Sequence, residues 1–416
     1  MSFTNMPGSP AQGAVTALAL VVLLAGCDSP SGNPPAAKSV FQPVLSSTSG
    51  EVLDFLAKGQ GGAKAKLVFV DRTKASEELC FIDFSEAGGP VIRRIAAASM
   101  PEVPVISPDG NWVVYASGSG TEAGSSLTAR SSVYLSRLSS DAVPLLVAAD
   151  SACEPRFVQN VSGGLSIVYS TKAPNFGWEG FGKTVQVDID IAGAAPVVGV
   201  SRILSEGGSY TGGLSWDARY LVGGGGHVAM LDRNGTKGRP DTLSYDMAQS
   251  CNASISSSRT FTNTTMYLNT GSSSPSINGG AAWGEWQAIL ISNSDKKLVR
   301  GFMYPKTPAV PLETDPKSFS GAKWHHCEWS NHPYFATATL NVDRYFKNGS
   351  EYANTLFQER IYLLNLKDSS YLEILRPDKV VFGGKNVDVS GFYWPWLWVE
   401  VPAGFKESED WLKPAP

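Results

Sequence analysis

One unit recurs along this chain and limits what it can fold into. Its clearest copy is Val105–Ser117, VISPDGNWVVYAS. A short strand enters the turn Ser107-Pro108-Asp109-Gly110, and a second, apolar strand leaves it from Trp112. Proline presets φ, and Asp-Gly supplies the positive φ that a tight hairpin needs. After a variable loop come Ser132–Ser136 and Pro144–Val147, two further short apolar runs. Four antiparallel strands of this size cannot bury both faces alone and must stack on similar sheets.

Weaker copies follow. Arg156–Val158 leads to Leu165–Ser170, and Gly213–Asp217 leads to Arg219–Val222. Ala253–Ser256 leads to Thr265–Leu268, and Glu328–Pro333 leads to Tyr334–Ala338. The turn starts at Ser107, Val158, Ser215, Ser256 and Ser330 are spaced by 51, 57, 41 and 74 residues. Periods of that size, each holding four short strands, specify an all-β fold and a β-propeller. Charged residues are only 17% and glycines number 42, which suits strands and turns. Near the N-terminus, Lys66–Val70 and Leu79–Asp83 read as second and third strands lacking a first. Near the C-terminus, Asn386–Gly391 reads as a first strand and turn. The expectation is six blades, the first completed by the C-terminal strand so that no sheet edge is left open. A seventh requires an element within Phe41–Leu56.

The Ser-Pro-Asp-Gly hairpin followed by Trp112-Val113-Val114-Tyr115-Ala116-Ser117 resembles the repeat of TolB-like propellers. That resemblance spans about residues 60–400 and rests on one good copy. It implies fold and not activity, since such propellers serve as periplasmic scaffolds, peptidase accessory domains and sugar-acid lyases.

The N-terminus carries an uncharged apolar run, Ala14–Ala25, too short for a membrane span and suited to a signal peptide. Leu24-Ala25-Gly26-Cys27 resembles the lipobox of bacterial lipoproteins, which implies cleavage before Cys27 and lipidation of its thiol. Residues 1–13 contain no Lys or Arg, a departure from the usual positive n-region. The stretch after Cys27, DSPSGNPPAAKS, has the composition of a flexible tether. The expected organisation is a signal peptide over 1–26, the lipidated Cys and tether over 27–50, the propeller over 51–403 and a tail over 404–416. The lipid would be the membrane contact and the envelope the location. A net charge of −4 without a basic block argues against nucleic acid. Cys80, Cys153, Cys251 and Cys327 allow three disulfide pairings, and no CxxC pair is present.

The first strand of each blade lines a propeller's channel. Four residues before each turn stand Val103, Glu154, Thr211, Asn252, His326 and Asn386. Five of the six are polar, so a ligand-binding ring is expected at one channel mouth from Glu154, Thr211, Asn252, His326 and Asn386. Trp324–His332 holds three of the four histidines. Strand alternation, however, puts His325 and His326 on opposite faces, and no metal or other cofactor is expected. Oligogalacturonate lyases are similar at fold level and hold manganese through channel histidines from several blades. Here the fourth histidine, His227, falls on a third strand, so that set does not assemble. No GxSxG elbow occurs. In the run Phe392–Trp398, Trp394, Trp396 and Trp398 would share one face at period two and serve as packing between blades or as stacking surfaces. Pro395 needs an edge or a bulge.

The leading expectation is an envelope-anchored module that binds a protein or a glycan. An enzyme acting on a carbohydrate or peptide in the channel is the alternative. The anchor makes a direct prediction: Cys27→Ser abolishes metabolic labelling with a fatty-acid probe, and continued labelling would rule the anchor out.

Overall fold

The structure, a computed structural model, describes residues 43–413 except 74–75, 98–99, 119–130, 150, 160–162, 173–180, 194, 207–210, 225–227, 236–240, 245–249, 270–287, 296–297, 306–318, 349–350 and 378–388. Cys27 and the apolar run Ala14–Ala25 lie outside the described residues, as do Asn386 and His227.

After a short strand β1 (Pro43–Leu45) and a helix α1 (Ser49–Lys58), every regular element among the described residues is β. The strands β2 (Ala65–Asp71), β3 (Glu78–Asp83) and β4 (Arg93–Arg94) come first. Four antiparallel four-stranded sheets follow in chain order. They are β5 (Pro101–Ile106) to β8 (Leu145–Ala148), β9 (Ala152–Gln159) to β12 (Val197–Ser205), β13 (Thr211–Leu214) to β16 (Asp241–Ser244), and β17 (Ser250–Ile255) to β20 (Leu298–Phe302). Then come β21 (Phe319–Trp329), β22 (Phe335–Asn348), β23 (Glu351–Asn365), β24 (Ser370–Pro377) and β25 (Val389–Val399). These last five join β1 to β4 in one nine-stranded sheet. Within it, β25 pairs antiparallel with β2, Ala65 opposite Val399 and Asp71 opposite Phe392. The arrangement is that of a propeller.

The first strands of the sheets lie side by side in succession: β25 against β5, then β9, β13, β17, β21 and β25 again. Each of them carries a register shift, at Glu102/Val105, opposite Val168/Ser170, at Thr211/Gly213, at Cys251/Ser254, at Trp324/His326, and opposite Val68/Val70. A bulge sharpens the twist of a strand and re-aims one side chain. Val103, Glu154, Asn252 and Trp394 therefore sit in the left-handed region, with φ of 47°, 53°, 52° and 47°. The bulge of β25 includes Pro395, which accommodates its missing donor.

The hairpin turn is also repeated more faithfully than the sequence suggested. Ser107 Oγ accepts from Trp112 N at 3.0 Å, and Ser107 N donates to Trp112 O at 2.8 Å. Ser215-Trp216-Asp217-Ala218 makes the same bonds to Tyr220, at 2.9 Å each. Ala218, at φ 56°, stands where Gly110 has φ 75°. The signal that persists is Ser-x-Asp with an aromatic five residues after the serine.

Consecutive sheets pack face to face on apolar side chains. Val68 and Phe81 meet Val105, Val114 and Leu135, which meet Ile167 and Val187. Val158 and Val168 meet Leu214 and Leu221, and Tyr220 and Met230 meet Ala253 and Tyr267. The largest cluster joins Met266 and Ile289 to Trp324, Phe335 and Leu363, and these to Leu67, Phe69 and Cys80.

Two expected boundaries shift. The folded part begins ahead of residue 51: β1 pairs with the outer strand β24, Pro43 opposite Pro377. Helix α1 starts with a capping box, in which Thr48 N donates to Glu51 Oε2 at 2.8 Å and Glu51 N to Thr48 Oγ1 at 3.3 Å. Its Val52, Phe55 and Leu56 join the largest cluster. The Thr48-x-x-Glu51 signature and that apolar spacing were both legible. Phe41–Leu56 thus contributes an edge strand and a helix. At the other end, Trp411 and Leu412 are buried in the same cluster, so residues 404–412 are packed and not a free tail.

Trp398 is fastened to the first complete hairpin. Its Nε1 donates to Pro108 O at 2.8 Å, and a Cβ on Gly110 would lie 2.7 Å from its ring. Gly110→Ala combines strain at positive φ with a clash and is expected to cost about 2–4 kcal/mol. Gly88→Ala, at φ 99° with nothing within 4 Å of the new Cβ, is expected to cost about 1 kcal/mol. Equal losses in chemical denaturation would show that the Trp398 contact does not matter.

Candidate functional site

The inner strands enclose a cavity of about 990 Å³ at their turn ends. Every inner strand contributes to it: Val105 from β5, Arg156 and Val158 from β9, Leu214 from β13, Ile255 from β17, Glu328 and Trp329 from β21, and Trp396 and Trp398 from β25. Trp216, from the β13–β14 turn, and the segment from Glu400 to Glu407 complete the wall.

Arg156 and Glu328 form the base. Their side chains are nearly inaccessible, and Arg156 Nη2 lies 2.5 Å from Glu328 Oε1. The strands that carry them, β9 and β21, are three steps apart in either direction along the succession of inner strands. The ion pair therefore spans the enclosed space. His326 Nε2 lies 3.2 Å from the same Glu328 oxygen. Burial alone would raise the Glu328 carboxyl, but Arg156 and His326 outweigh it and hold it below the usual carboxylate range. Burial lowers the His326 imidazole despite Glu328, so it stays neutral at pH 7.

Beyond this base, away from the turns, lies a second group of polar side chains. Asn252 Nδ2 donates to His325 O at 2.8 Å. The His325 and His326 rings lie 5.1 and 5.6 Å from the Tyr393 ring. Arg72 lies 5.1 Å from the centroid of the same ring, with Glu359 and Glu77 both at 3.2 Å. Burial pushes the Tyr393 phenol well up, reinforced by Glu359 and, more weakly, by Glu154. Burial also takes His325 down to about 3.

The expected ring is thus brought together only in part. Asn252, His326 and Glu154 lie around His325 and Tyr393 behind the cavity and do not line it; at 4%, 0% and 3% exposed they are not at an open mouth. Thr211 pairs through its backbone with Gly223, and its side chain is outside the described residues. In the closing strand the bulge falls at Trp394, eight residues after Asn386. His325 and His326 do not face opposite ways, because the register shift between Trp324 and His326 breaks the alternation. The same effect separates the tryptophans: Trp394 tilts against Tyr393 at 4.5 Å, whereas Trp396 and Trp398 reach the cavity. His332 is elsewhere, packed against Phe335 and Phe405 at 5.0 and 4.7 Å and lowered to about 4 by burial. Cys80, Cys153 and Cys327 are buried, and burial raises the Cys327 thiol strongly. Arg156 and Arg72 were not singled out from the sequence. Arg156 was within reach, because it follows Glu154 by two on a channel strand.

No protein-family model and no curated protein matches the chain. Among solved structures it is similar to TolB from Acinetobacter baumannii, at 10% identity and a TM-score of 0.45, over 80% of this chain and 66% of that one. It is similar to the periplasmic gluconolactonase of Pseudomonas aeruginosa, at 12% identity and a TM-score of 0.42, over 82% and 99%. A puromycin hydrolase follows at 13% and 0.38, and the chain covers 44% of its length. Similarity at this level says nothing of ligand or activity.

The ion pair makes a quantitative prediction. Arg156→Leu leaves a buried carboxylate alone and is expected to cost about 3–5 kcal/mol. Arg156→Leu combined with Glu328→Leu removes both charges and should recover most of that loss. A double variant as unstable as the single one would show that the pair is not coupled.

Proposed function

We propose that the chain is a lipid-anchored envelope protein, held to a membrane through Cys27, whose propeller binds a glycan in the turn-end cavity. In this reading the six first strands are the axes of six blades, and β25 closes the ring by completing the blade of β2, β3 and β4. No helix among the described residues is long and apolar enough to cross a membrane.

The observation that carries the reading is the cavity. Its volume, about 990 Å³, is at the upper end of small-ligand sites, and it is concave where a protein interface would be flatter. Trp216 and Trp398 stand in its wall, and Arg156 and Glu328 lie at its base. Aromatic faces with a few fixed polar groups suit a sugar ring, which has apolar C–H faces and polar edges. His326 and Asn252 serve behind the base, the first fixing Glu328 and the second the His325 backbone.

The test uses the full-length protein in detergent on an array of envelope glycans, beside Trp216→Ala. Trp216 is half-buried at a turn, so its loss leaves the cores untouched. The parent should retain at least one glycan class, and the variant should lose about three- to tenfold in affinity, the size of one stacking contact. No retained glycan, or binding indifferent to Trp216, would sink the reading. Retention of an envelope protein in its place would make the partner a protein.

A further inference from the structure

We infer that the ligand of this cavity carries a carboxylate and that Arg259 receives it; the inference rests on the glycan-binding reading and narrows it to acidic saccharides. Four cationic side chains line the cavity: Lys64, Arg156, Arg259 and Lys406. Arg156 is held by Glu328 and Lys64 lies 3.6 Å from Glu400. Arg259 differs from both. Its guanidinium carbon lies 4.1 Å from the centroid of the Trp216 ring, and no ion pair holds it among the described residues.

The backbone beneath Arg259 is fixed as well. Arg259 N donates to Glu407 Oε2 at 3.1 Å, and Thr260 N donates to the same oxygen at 3.4 Å. The other oxygen, Glu407 Oε1, accepts from Ser258 Oγ and from Trp411 Nε1, the latter at 2.7 Å. Ser258 Oγ in turn accepts from Phe261 N at 2.6 Å. Glu407 is thereby occupied as the clasp of this turn and is not the counter-ion of Arg259. The other carboxylates nearby in sequence or in the wall are occupied too. Asp109 accepts from Ser107 Oγ and from Asn111 N and Nδ2, and Asp217 accepts from Ser215 Oγ, Arg219 N and Thr262 Oγ1.

An ordinary surface arginine samples many rotamers, and ordering it costs side-chain entropy. Here the main chain is clasped by Glu407 and one face of the guanidinium lies on Trp216, so much of that ordering is already in place. Stacking occupies the face of the plane and leaves its edge N–H groups to form a parallel pair of bonds with a planar carboxylate. The nearest general chemistry for a sugar-sized ligand with such a group is a uronic acid, its ring on the tryptophan wall and its carboxylate on Arg259.

The test is calorimetric titration of the full-length protein with uronic-acid oligosaccharides and with the same oligosaccharides after carboxyl reduction. The parent should bind the acidic form at least tenfold more tightly, and added salt should narrow that gap. Arg259→Gln should remove the preference while leaving affinity for the reduced form within twofold, a split that general damage to the turn would not produce. Arg259→Lys should restore part of it, because the charge returns without the planar fork. Equal affinity for both forms, or a preference untouched by Arg259→Gln, would overturn the inference while Trp216-dependent glycan binding still stood. Sulfated neutral oligosaccharides bound as tightly as the uronates would overturn the choice of carboxylate. Loss of all glycan binding would instead remove the reading on which it rests.

Discussion

Six strands from sheets far apart in sequence converge on one narrow space, and the buried pair of Arg156 and Glu328 is what that space is organised around. Either charge alone would be expensive there, because little water reaches it and the surrounding sheets are apolar. Each is tolerable because the other lies 2.5 Å away. The pair joins two strands that are not neighbours, so it resists relative movement of opposite sheets in a way that no backbone ladder can. It also divides the enclosed space. On the turn side is an open cavity walled by tryptophans, and on the other side a packed layer of Asn252, His325, Tyr393, Arg72 and Glu359. The histidines of that layer stay neutral because desolvation opposes their charge, and neutral rings can pack against Tyr393 without further counter-ions.

The bulges explain both what sequence reading could find and where it failed. Counting back four residues from the turn starts Val158 and Ser256 reaches Glu154 and Asn252, which lie at the bulged step of their strands, and the copy at Ser330 reaches His326. The same count failed in β25, because Ser390-Gly391 looks like a turn and lies inside the strand. Period-two alternation then misassigned His325, His326 and Trp394, since one extra residue exchanges the faces of everything beyond it. A bulge leaves almost no trace in sequence when the residue at positive φ is Val103, Glu154 or Trp394, none of which is a left-handed former. The pairing of β25 with β2 was legible because β2 and β3 lack an inner strand and only the C-terminal stretch could supply one.

The two ends of the described chain do different work on the same sheet. β1 covers the outer edge of β24, and α1 lays Val52, Phe55 and Leu56 on the largest core. An exposed eight-residue edge invites pairing with other chains, and a three-residue strand is enough to blunt it. The segment after β25 runs the other way, along the cavity rim to the β17–β18 turn. There Glu407 ties Ser258, Arg259 and Thr260 to Trp411, while Arg300 Nη2 donates to Trp411 O at 3.1 Å. A stretch that composition alone marks as a tail is therefore part of the wall.

That placement bears on why the turn end is the better place to bind something. The hairpins at Ser107, Ser215, Ser256 and Ser330 each close with a backbone bond of 2.8–3.0 Å across the turn, so the cavity rim is held by main chain. Side chains carried on such turns lose little freedom on meeting a ligand, and preorganisation of this kind converts contact into affinity. The opposite end commits polar groups to internal partners: Arg72 to Glu359 and Glu77, and Asn252 to the His325 carbonyl. Groups already committed to internal partners contribute structure, while the stacked guanidinium of Arg259 and the ring of Trp216 still face the cavity. In the proposed reading that division would carry recognition, with buried charge pairs behind the base and aromatic and cationic surface in front of it.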